Sequence, residues 1–255
     1  MSELSKLSVD ETKRYNKQTS LKSFGISAQQ KLKNTAILLI GVGGVGSPAA
    51  LFLTSMGVGK LGIVDDDKIE ISNLPRQILY HTDNIGRLKV TVAYQRLREL
   101  NDNVAIEVFN EKITSSNEKK FSINSYDYIL DGSDSFDTKF LLNKLSLKYK
   151  IPLLSVSVQE SSYQVGLFNL DNKSPCLSCI YPKIRTADLI SCSNAGVLGY
   201  LPSQSSLTAI NLLINNLIKN ENNSSKLFCY DADTVCLNKY TLVKDSSCEI
   251  CSKKA

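Results

Sequence analysis

Residues 35–46 have the sequence TAILLIGVGGVG, which predicts a buried strand followed by a tight glycine turn. Its first six residues form a continuous apolar and β-branched run, which is typical of a parallel strand buried on both faces. The composition of residues 47–56 predicts a helix, and Pro48 is tolerated in the first turn of such a helix. A second short strand at residues 60–65 completes a β-α-β unit at the start of a doubly wound sheet. Between the first strand and the helix lie the glycines of a tight turn, Gly41, Gly43, Gly44 and Gly46.

The rest of the chain divides into two patterns. Up to about residue 160, strands alternate with helices, which predicts a Rossmann-like α/β fold with a doubly wound, mostly parallel sheet. The expected strands are residues 104–109, 126–130 and 153–158, and the expected helices are residues 85–100 and 136–150. Beyond residue 160 the alternation stops. Strand-like runs at residues 163–170 and 227–243, with an apolar helix at 207–218, predict that antiparallel strands continue the sheet.

The bulk composition is that of an ordinary soluble globular protein. Of the 255 residues, 42% are hydrophobic and 22% are charged. The net charge of +5 comes from scattered lysines, without a basic stripe and interleaved aromatics, so we expect no nucleic-acid partner. Residues 1–18 lack the apolar stretch of a signal peptide, and the longest apolar run is far too short to span a membrane. We therefore expect a cytoplasmic protein without a membrane partner.

The glycine turn predicts a phosphate-binding site. Gly41, Gly43 and Gly46 would permit a tight turn, close approach of the backbone to a phosphate, and tight packing of helix on sheet. The helix N-terminus adds free N–H groups and a partial positive charge. Asp65 ends the second strand, where an acid can bind ribose hydroxyls. The pattern fits NAD as well as ATP, and a purely structural turn remains an alternative at this point.

Polar residues around the turn favour ATP cleavage over hydride transfer. An enzyme that cleaves ATP needs cations near the phosphates and a carboxylate for magnesium, whereas a dehydrogenase needs no such surplus of cations. Any one of these residues alone is better interpreted as surface charge. The polar residues expected around the turn are Arg14, Asp65, Asp67, Asn73, Arg76, Gln77, Lys89, Asp131 and Asp134.

The order of these motifs closely resembles the ThiF/MoeB/HesA family of ubiquitin-activating-enzyme-like adenylyltransferases. The resemblance covers nearly the whole chain. It runs through RYNKQ at 14–18, the glycine turn, residues 65–77, Lys89, residues 130–134, the cysteine pairs and CSNAGV at 192–197. It implies a single adenylation domain over residues 1–255. The nucleotide-binding half would be residues 1–160, and the half that binds a carrier protein and carries a zinc clip would be residues 161–255.

The resemblance also implies roles for the matching residues. Those expected to bind the nucleotide are Gly41, Gly43, Gly44, Gly46, Asp65, Asp67, Asn73, Arg76, Gln77, Lys89 and Asp134. Within this set, Asp65 would hold the ribose and Asp134 the magnesium ion. Arg14 would reach the ATP of the neighbouring subunit of a homodimer. Two departures stand out, because Ser135 and Lys139 occupy positions where the family usually has asparagine and arginine, and Lys139 lacks the planar fork of arginine.

Four cysteines predict a structural zinc site. Cys176 and Cys179 form one C-x-x-C pair, and Cys248 and Cys251 form another. Four thiolates suit a closed tetrahedral zinc, which contributes folding energy rather than chemistry, although unrelated buried or redox cysteines are the alternative. The wide separation of the pairs implies that the C-terminus folds back to the middle of the chain. Cys229 and Cys236 lie in strand-like runs, where we expect core cysteines: they are not assigned to the metal.

A further cysteine and the one histidine complete the set of reactive side chains. Cys192 lies in a segment that resembles the family's crossover loop, where the matching cysteine can link covalently to the carrier or take up sulfur. An unreactive loop thiol is the alternative. His81 lies in a polar stretch and is expected to be a solvated loop residue. The residues expected to take part in the chemistry are thus Arg14, Arg76, Lys89, Asp134 and Cys192.

The resemblance implies ATP- and Mg²⁺-dependent adenylation of the C-terminal glycine carboxylate of a ubiquitin-like sulfur carrier. The carrier would be ThiS-like or MoaD-like. Residues 65–67 and 77–79 are slightly more similar to the thiamine branch than to the molybdopterin branch. We expect that no sulfurtransferase domain follows Cys251 and that sulfur comes from a separate donor, a cysteine desulfurase or a sulfurtransferase. The alternatives are a relative that adenylates a small carboxylate, a peptide or a tRNA base, an NAD-dependent dehydrogenase, and a non-catalytic zinc scaffold.

Overall fold

A computed structural model describes residues 5–182, 196–219 and 226–252 of the chain. Its framework is an eight-stranded sheet in the order β3-β2-β1-β4-β5-β6-β7-β8. The first five strands pair in parallel, and β6, β7 and β8 continue the sheet in antiparallel fashion. The strands are β1 (Ala36–Ile40), β2 (Lys60–Val64), β3 (Ala105–Phe109), β4 (Tyr128–Asp131), β5 (Leu153–Gln159), β6 (Ser162–Phe168), β7 (Lys226–Asp231) and β8 (Cys236–Thr241).

Helices cover both faces of this sheet, as a doubly wound fold requires. They are α1 (Val9–Arg14), α2 (Asn16–Thr19), α3 (Gly25–Lys33), α4 (Gly46–Met56), α5 (Lys89–Leu100), α6 (Phe136–Tyr149), α7 (Leu177–Ile180) and α8 (Tyr200–Lys219). Short 3₁₀ turns connect the elements at Ile71–Asn73, Thr82–Asn84, Glu118–Phe121 and Ile123–Ser125. In the described residues, no helix is long and apolar enough to cross a membrane.

The apolar run of β1 is buried on both faces, as predicted. Alternate side chains of a strand point to opposite faces, so neighbouring residues enter different cores. Ile37 and Leu39 belong to the cluster under α3, α4, α5 and α8. Leu38 and Ile40 belong to the second cluster, under α6 and α7. The sheet is therefore the central layer between two apolar cores, which explains why β1 shows no polar alternation.

The strand order places a crevice between β1 and β4. The chain moves outward from β1 through β2 to β3, then returns to β4 on the other side of β1. In open α/β sheets, ligands bind at such a switch point, beyond the carboxyl ends of the strands. The loops that follow β1 and β4 are in direct contact there, because Gly132 N–H donates to the carbonyl oxygen of Ile40 (2.9 Å).

Several sequence expectations need correction. The run at residues 227–243 is a hairpin, because the Asp231 side chain accepts hydrogen bonds from the backbone N–H groups of Asp233 (2.8 Å) and Thr234 (3.2 Å), which makes a turn. The helix expected at 207–218 begins earlier, at Tyr200, since the polar residues of its first two turns hide the apolar period. Cys236 is exposed on β8, so the prediction that it belongs to the core was wrong, whereas Cys229 is half-buried.

Candidate functional site

A cavity of about 510 Å³ lies at the carboxyl ends of the parallel strands, beside the crevice between β1 and β4. It is lined by the loops after β1, β2, β3 and β4 and by the end of β5. Most of the residues predicted to bind a nucleotide line it: Gly41, Gly43, Gly44, Asp65, Asp67, Asn73, Arg76, Gln77, Lys89 and Asp134. Residues that are far apart in the sequence therefore meet in one place.

The glycine turn brings the N-terminus of α4 against the end of β1. A side chain at Gly46 would put its Cβ 1.9 Å from the carbonyl oxygen of Gly41, so only glycine fits there. Gly41 itself has a φ of +84°, which favours glycine, and a Cβ there would lie 3.1 Å from the carbonyl oxygen of Gly132. Within the described residues, no side chain caps the N-terminus of α4. Ser47 N–H donates to the carbonyl oxygen of Gly43 (2.9 Å), Ala49 N–H donates to that of Val45 (3.3 Å), and Pro48 has no N–H, so the N–H groups left for an anion in the described structure are those of Gly44, Val45 and Gly46.

Side chains hold the turn in shape at Val42. The carboxylate of Asp65 accepts a hydrogen bond from Val42 N–H (2.8 Å) and another from Asp67 N–H (2.9 Å). The hydroxyl of Tyr80 donates to the carbonyl oxygen of Val42 (2.9 Å). Burial raises the pKa of the Asp65 carboxyl above its usual range, while the charge of Lys89 and the two N–H groups act in the opposite direction. Asp65 therefore links the glycine turn to the end of β2.

Two cations stand on one side of the cavity. Lys89 begins α5, and its Nζ lies 2.7 Å from the Asp67 carboxylate, with the lysine side chain buried and the aspartate largely exposed. Arg76 is half-buried and donates from Nη1 to the carbonyl oxygen of Ser72 (2.9 Å). That bond leaves most of the guanidinium donors for other partners. Both cations face the cavity that the uncapped helix enters, so the site as a whole is suited to a polyanion.

Gln77 and Asn73 add amide groups to the same wall. The buried Oε1 atom of Gln77 has no hydrogen-bond partner in the described structure, although the residue lines the cavity. A buried polar atom without a partner costs free energy. A ligand in the cavity that donates a hydrogen bond to Oε1 would remove this cost. The Oδ1 atom of Asn73 accepts a hydrogen bond from Glu70 N–H (3.1 Å), so the amide N–H groups of Asn73 can donate to a ligand.

Six carboxylates line the described cavity, those of Asp65, Asp66, Asp67, Glu111, Asp134 and Glu160, and the aspartates differ in what they already bind. Asp65, Asp66 and Asp67 have oxygen atoms within 4.8 Å of one another. Asp65 is engaged by backbone N–H groups and Asp67 by Lys89. Asp134 follows β4 on the opposite side and is exposed to the cavity. Carboxylate oxygens are the ligands that Mg²⁺ prefers, so Asp134 fits the predicted role.

A buried ion pair that the sequence did not reveal lies beneath the cavity. Lys139 of α6 donates from Nζ to the Asp131 carboxylate (2.9 Å) and to the carbonyl oxygen of Val156 (2.5 Å). Asp131 is fully buried, and Ser133 and Ser155 also donate to it. The lysine at the usual arginine position thus ties α6 to the ends of β4 and β5. This contact fixes the loop that carries Asp134.

Other lining residues were also missed by sequence reasoning. Glu111 and Lys112 follow β3, and the rule that parallel strands end at one edge could have identified them. Gln159 ends β5, and Glu160 follows it. Glu160 has a φ of +51° and forms an isolated bridge with Val197, so the chain after the crossover segment passes close to the cavity. No local pattern in the sequence signals that contact.

Arg14, a predicted site residue, does not line the cavity of its own chain. Arg14 ends α1, where its Nη1 donates to the carbonyl oxygen of Leu100 (3.0 Å), and it is not among the cavity residues that the structure describes. Its assignment to the neighbouring subunit stays a prediction. Cys192 lies outside the described residues. His81 is exposed, as predicted.

The two C-x-x-C pairs come together, so the C-terminus folds back as expected. All four Sγ atoms lie within 4.8 Å of one another. Three of the separations are 3.4 Å (Cys179–Cys251), 3.7 Å (Cys176–Cys248) and 3.8 Å (Cys176–Cys179). A tetrahedral metal with thiolates at about 2.3 Å requires sulfur–sulfur edges of about 3.8 Å. A disulfide requires about 2.05 Å, so the cluster has the dimensions of a metal site.

Asn143 supports this cluster from α6. Its Oδ1 accepts from Leu177 N–H (3.0 Å) and from Asn169 Nδ2 (3.2 Å), and its Nδ2 donates to Ser178 Oγ (3.1 Å). These contacts hold α7, the helical turn inside the first cysteine pair. Asn143 lies one helical turn after Lys139, so the same buried side of α6 supports both the cavity and the cysteines.

The fold and the cavity together define a class of protein. It is a doubly wound α/β protein with a phosphate-type glycine turn, a ring of charged groups at the switch point and a four-cysteine cluster beside α6. The chain belongs to the ThiF family, whose model matches residues 15–250.

Three relatives in this family are similar over much of the chain. The sulfur carrier protein adenylyltransferase of Thermus thermophilus is 34% identical over 248 residues, which cover 95% of this chain and 91% of that protein. The adenylyltransferase and sulfurtransferase UBA4 of Scheffersomyces stipitis is 41% identical over 75% of this chain and 43% of its own length. The corresponding MOCS3 of Drosophila willistoni is 34% identical over 97% and 55%. The chain thus spans about half the length of the UBA4 and MOCS3 proteins.

The solved structure of E. coli MccB with MccA-N7isoASN has the same fold. It superposes with a TM-score of 0.83 and 18% identity, and covers 97% of this chain and 76% of the MccB chain. At that identity the likeness concerns the fold alone, and it includes both the parallel and the antiparallel parts of the sheet.

Replacing Lys139 tests the ion pair beneath the cavity. Lys139→Met leaves the buried Asp131 carboxylate without its cation, and we expect a loss of about 3–5 kcal/mol in the free energy of unfolding. Lys144→Met, at an exposed position of the same helix, should change it by less than about 0.5 kcal/mol. Urea denaturation measures both. Equal stability of the two variants would contradict the assignment.

Proposed function

We propose that this chain adenylates the C-terminal glycine carboxylate of a ubiquitin-like sulfur-carrier protein, with ATP as the second substrate. The observation that carries the proposal is the cavity, where an uncapped helix N-terminus, Arg76, Lys89 and Asp134 converge. Such a set matches the charge of a triphosphate and has no evident use in hydride transfer. The relatives named as sulfur carrier protein adenylyltransferases support the choice of carrier.

The proposed reaction is an in-line displacement at the α-phosphorus. A carboxylate oxygen of the carrier forms a bond to the α-phosphorus, and the bond from that phosphorus to the bridging oxygen of the β-phosphate breaks. Pyrophosphate leaves with the electron pair of that bond. Arg76 and Lys89 stabilise the charge that develops on the leaving group. The attacking carboxylate is already ionised at neutral pH, so the chain needs no general base.

Asp65 and Asp134 divide the remaining work on the nucleotide. The carboxylate of Asp65 lies at the end of β2, where it can accept the ribose hydroxyls. Asp134 would hold a magnesium ion, which neutralises phosphate charge when bound. Asp134 suits this role because it is the carboxylate at the opposite side of the cavity from the acids that backbone N–H groups and Lys89 already engage.

The cysteine cluster would hold a structural zinc ion. Its sulfur–sulfur separations fit tetrahedral thiolate coordination, and four thiolates leave no open position for a substrate. The ion would clip the end of the chain to α7, and Asn143 would orient the first pair through α7. Zinc therefore belongs to the stability of the fold in this proposal, apart from the reaction.

We further propose a homodimer in which Arg14 completes the site of the neighbouring subunit. Arg14 lies beside the end of α5, away from the cavity of its own chain. The neighbouring helices α4 and α5 expose the aromatic rings of Phe52 and Tyr94, which suits a contact between subunits.

The acyl-adenylate would then react with sulfur from a separate donor, a cysteine desulfurase or a sulfurtransferase. Cys192 Sγ would attack the carbonyl carbon and displace AMP, which leaves a thioester, and the donor's sulfur nucleophile would displace the Cys192 thiolate from that carbon. The cytoplasm is the compartment that fits free cysteines.

ATP–pyrophosphate exchange tests the proposed reaction. Purified ThiS-like and MoaD-like carriers are added separately, and we expect exchange with one of them. Asp134→Ala should lower the exchange rate at least about 100-fold, because the metal carboxylate is lost. Asp137→Ala is the matched control, since Asp137 is exposed in the first turn of α6 and does not line the described cavity. No exchange with either carrier would overturn the proposal in favour of a small-molecule carboxylate.

Metal analysis tests the cysteine cluster. The purified wild-type chain should contain one zinc ion per chain, and Cys251→Ser should lose it and unfold at a lower urea concentration. Cys236→Ser removes an exposed thiol outside the cluster and should keep both the metal and the stability. Equal metal content in the two variants would contradict the proposed zinc site.

Mixing two inactive variants tests the shared site. Arg14→Ala and Asp134→Ala should each lack exchange activity as homodimers. Co-expressed subunits form mixed dimers with one intact site in each, so activity should return to about a quarter of the wild-type value. Variants with different affinity tags allow the mixed dimer to be purified. A mixed dimer without activity would contradict the assignment of Arg14 to the neighbouring site.

A further inference from the structure

The sequence RYNKQ at residues 14–18 contains two side chains that the proposed reaction leaves unexplained. The reaction uses Arg14 alone, whereas Tyr15 is buried and Gln18 is half-buried. Both side chains make their contacts at the C-terminal ends of α4 and α5, where the last carbonyl groups of a helix have no partner inside it. The arrangement of these contacts explains how Arg14 is placed.

The C-terminal end of α5 holds the Arg14 side chain. Leu100 is the last residue of α5, and its carbonyl oxygen accepts the hydrogen bond from Arg14 Nη1. A cation is favourable there, because it meets the negative end of the helix dipole. Arg14 is exposed, and among the described residues no carboxylate pairs with it. Most of its N–H donors therefore remain for a partner outside its own chain.

Arg14 and the nucleotide cavity lie at opposite ends of α5. Lys89, the first residue of this helix, lines the cavity, whereas Leu100 is the last residue. At about 1.5 Å per residue, the two positions are about 16 Å apart along the helix axis. An arginine side chain is much shorter than that distance. From its place at Leu100, the guanidinium cannot reach the cavity of its own chain.

Asn101, directly after α5, joins the RYNKQ sequence to two helices. It is fully buried, and its Nδ2 donates to the hydroxyl oxygen of Tyr15 (2.9 Å) and to the carbonyl oxygen of Thr54 (2.8 Å). Thr54 lies in the last turn of α4. Both N–H donors of the amide are used, so the contact fixes the Tyr15 hydroxyl relative to the ends of α4 and α5.

The Tyr15 ring is held by its close fit against Gly57. Gly57 ends α4 with a φ of +84°, a conformation that favours glycine. A Cβ at this position would lie 2.4 Å from the Cζ atom of Tyr15, so any side chain there would displace the ring. Tyr15 is therefore fixed at its hydroxyl by Asn101 and at its ring by the end of α4.

Gln18 adds a second attachment to α4. Its Nε2 donates to the carbonyl oxygen of Met56 (2.9 Å), the last residue of the helix, and to Oε1 of Gln29 (2.6 Å). Gln29 is fully buried and donates to the same carbonyl oxygen (2.9 Å). The chain that follows position 14 is thus fastened at two points. We call the contacts of Tyr15, Gln18 and Asn101 the Arg14 anchor.

We propose that Asn101 is a positioning residue for the active site of the neighbouring subunit, and that it acts through Tyr15 and Arg14. This inference rests on the proposed function and on its homodimer. Asn101 fixes Tyr15, the backbone of Tyr15 fixes the adjacent Arg14, and the exposed guanidinium meets the phosphates of the ATP held by the other chain. Asn101 therefore serves the other chain's site, although α5 connects it to Lys89 of its own.

The distribution of two substitutions over a mixed dimer tests this inference. Asn101→Ala breaks the Arg14 anchor, and Asp134→Ala inactivates the cavity of the chain that carries it. In the first purified mixed dimer the substitutions are on separate chains, so the intact cavity receives Arg14 from the chain with an intact anchor. In the second, both are on one chain beside a wild-type chain, so the intact cavity receives Arg14 from the chain with the broken anchor. The two dimers have identical composition.

ATP–pyrophosphate exchange with the carrier should distinguish the two dimers. With the substitutions on separate chains, we expect about half of the wild-type rate, because one of the two sites is intact. With both on one chain, the rate should be at least about tenfold lower, because a misplaced arginine stabilises the leaving pyrophosphate poorly. The reverse order of the two rates would assign Asn101 to its own cavity, through α5 and Lys89, and would overturn the inference. Equal rates would overturn it as well.

A conservative variant and a matched control accompany this test. Tyr15→Phe removes only the hydroxyl that Asn101 contacts and keeps the ring, so it serves if Asn101→Ala fails to fold. It should give the same order of rates with a smaller difference. Asn216→Ala removes a similar hydrogen bond, from the Asn216 amide to the Tyr128 hydroxyl (2.8 Å), where β4 begins. In place of Asn101→Ala, it should give equal rates in the two arrangements.

ATP binding separates this inference from the proposed function. By titration calorimetry without a carrier, Asn101→Ala and Arg14→Ala homodimers should bind ATP more weakly than the wild type by a similar factor, because both withdraw the same guanidinium. That result in a chain without exchange would support the Arg14 anchor and reject the adenylation. Wild-type exchange, with unchanged ATP affinity and rate in the Asn101→Ala homodimer, would overturn the anchor and leave the adenylation standing. A monomeric wild-type chain would overturn the anchor whatever its exchange activity.

Discussion

The contact between Gly46 and the carbonyl oxygen of Gly41 sets the distance between helix α4 and strand β1. Even a single methyl group at position 46 would lie 1.9 Å from that oxygen. Because the helix starts this close to the strand, the turn residues Gly43, Gly44 and Val45 line the cavity at the edge of the sheet where the loops after β2 and β4 also lie. The phosphate-type site is a consequence of this junction, and the charged residues are arranged around it.

The cations of the site are already compensated before any ligand arrives. Lys89 is paired with Asp67, Lys139 with Asp131, and Arg76 with a backbone carbonyl. A buried cation without a partner would be costly, so the fold keeps each one near an acceptor. Lys139, fully buried, remains in its pair and serves the framework. Lys89 has an exposed partner, which can give way to a phosphate. Burial thus separates the cation that supports the site from the cation that acts in it.

The sequence predicted the local parts of this molecule well. The β1–turn–α4 unit, the parallel strands, the change to antiparallel strands and the convergence of the two cysteine pairs are confirmed, because each depends on a short pattern or a spacing. The unpredicted features depend on distant partners. Two of them join segments that no local pattern connects: the pairing of Lys139 with Asp131 and the bridge from Glu160 to Val197. The third is the buried Oε1 atom of Gln77, which has no hydrogen-bond partner in the described structure. Cys236 was placed in the core wrongly, since an edge strand can have the same composition as a central one.

Helix α6 connects two parts of the protein that have different tasks. Its buried side supports the cavity through Lys139 and the cysteine cluster through Asn143. The cavity and the cysteine cluster therefore share one supporting helix.

Intact-mass spectrometry of the carrier, after incubation with this chain, ATP and magnesium, shows whether the cavity joins an adenylate to the carrier's terminal carboxylate. We expect the carrier to gain the mass of one adenylate at its C-terminal residue, and hydroxylamine to remove this adduct. ATP converted to ADP and phosphate, with the carrier mass unchanged, would contradict the proposed adenylation.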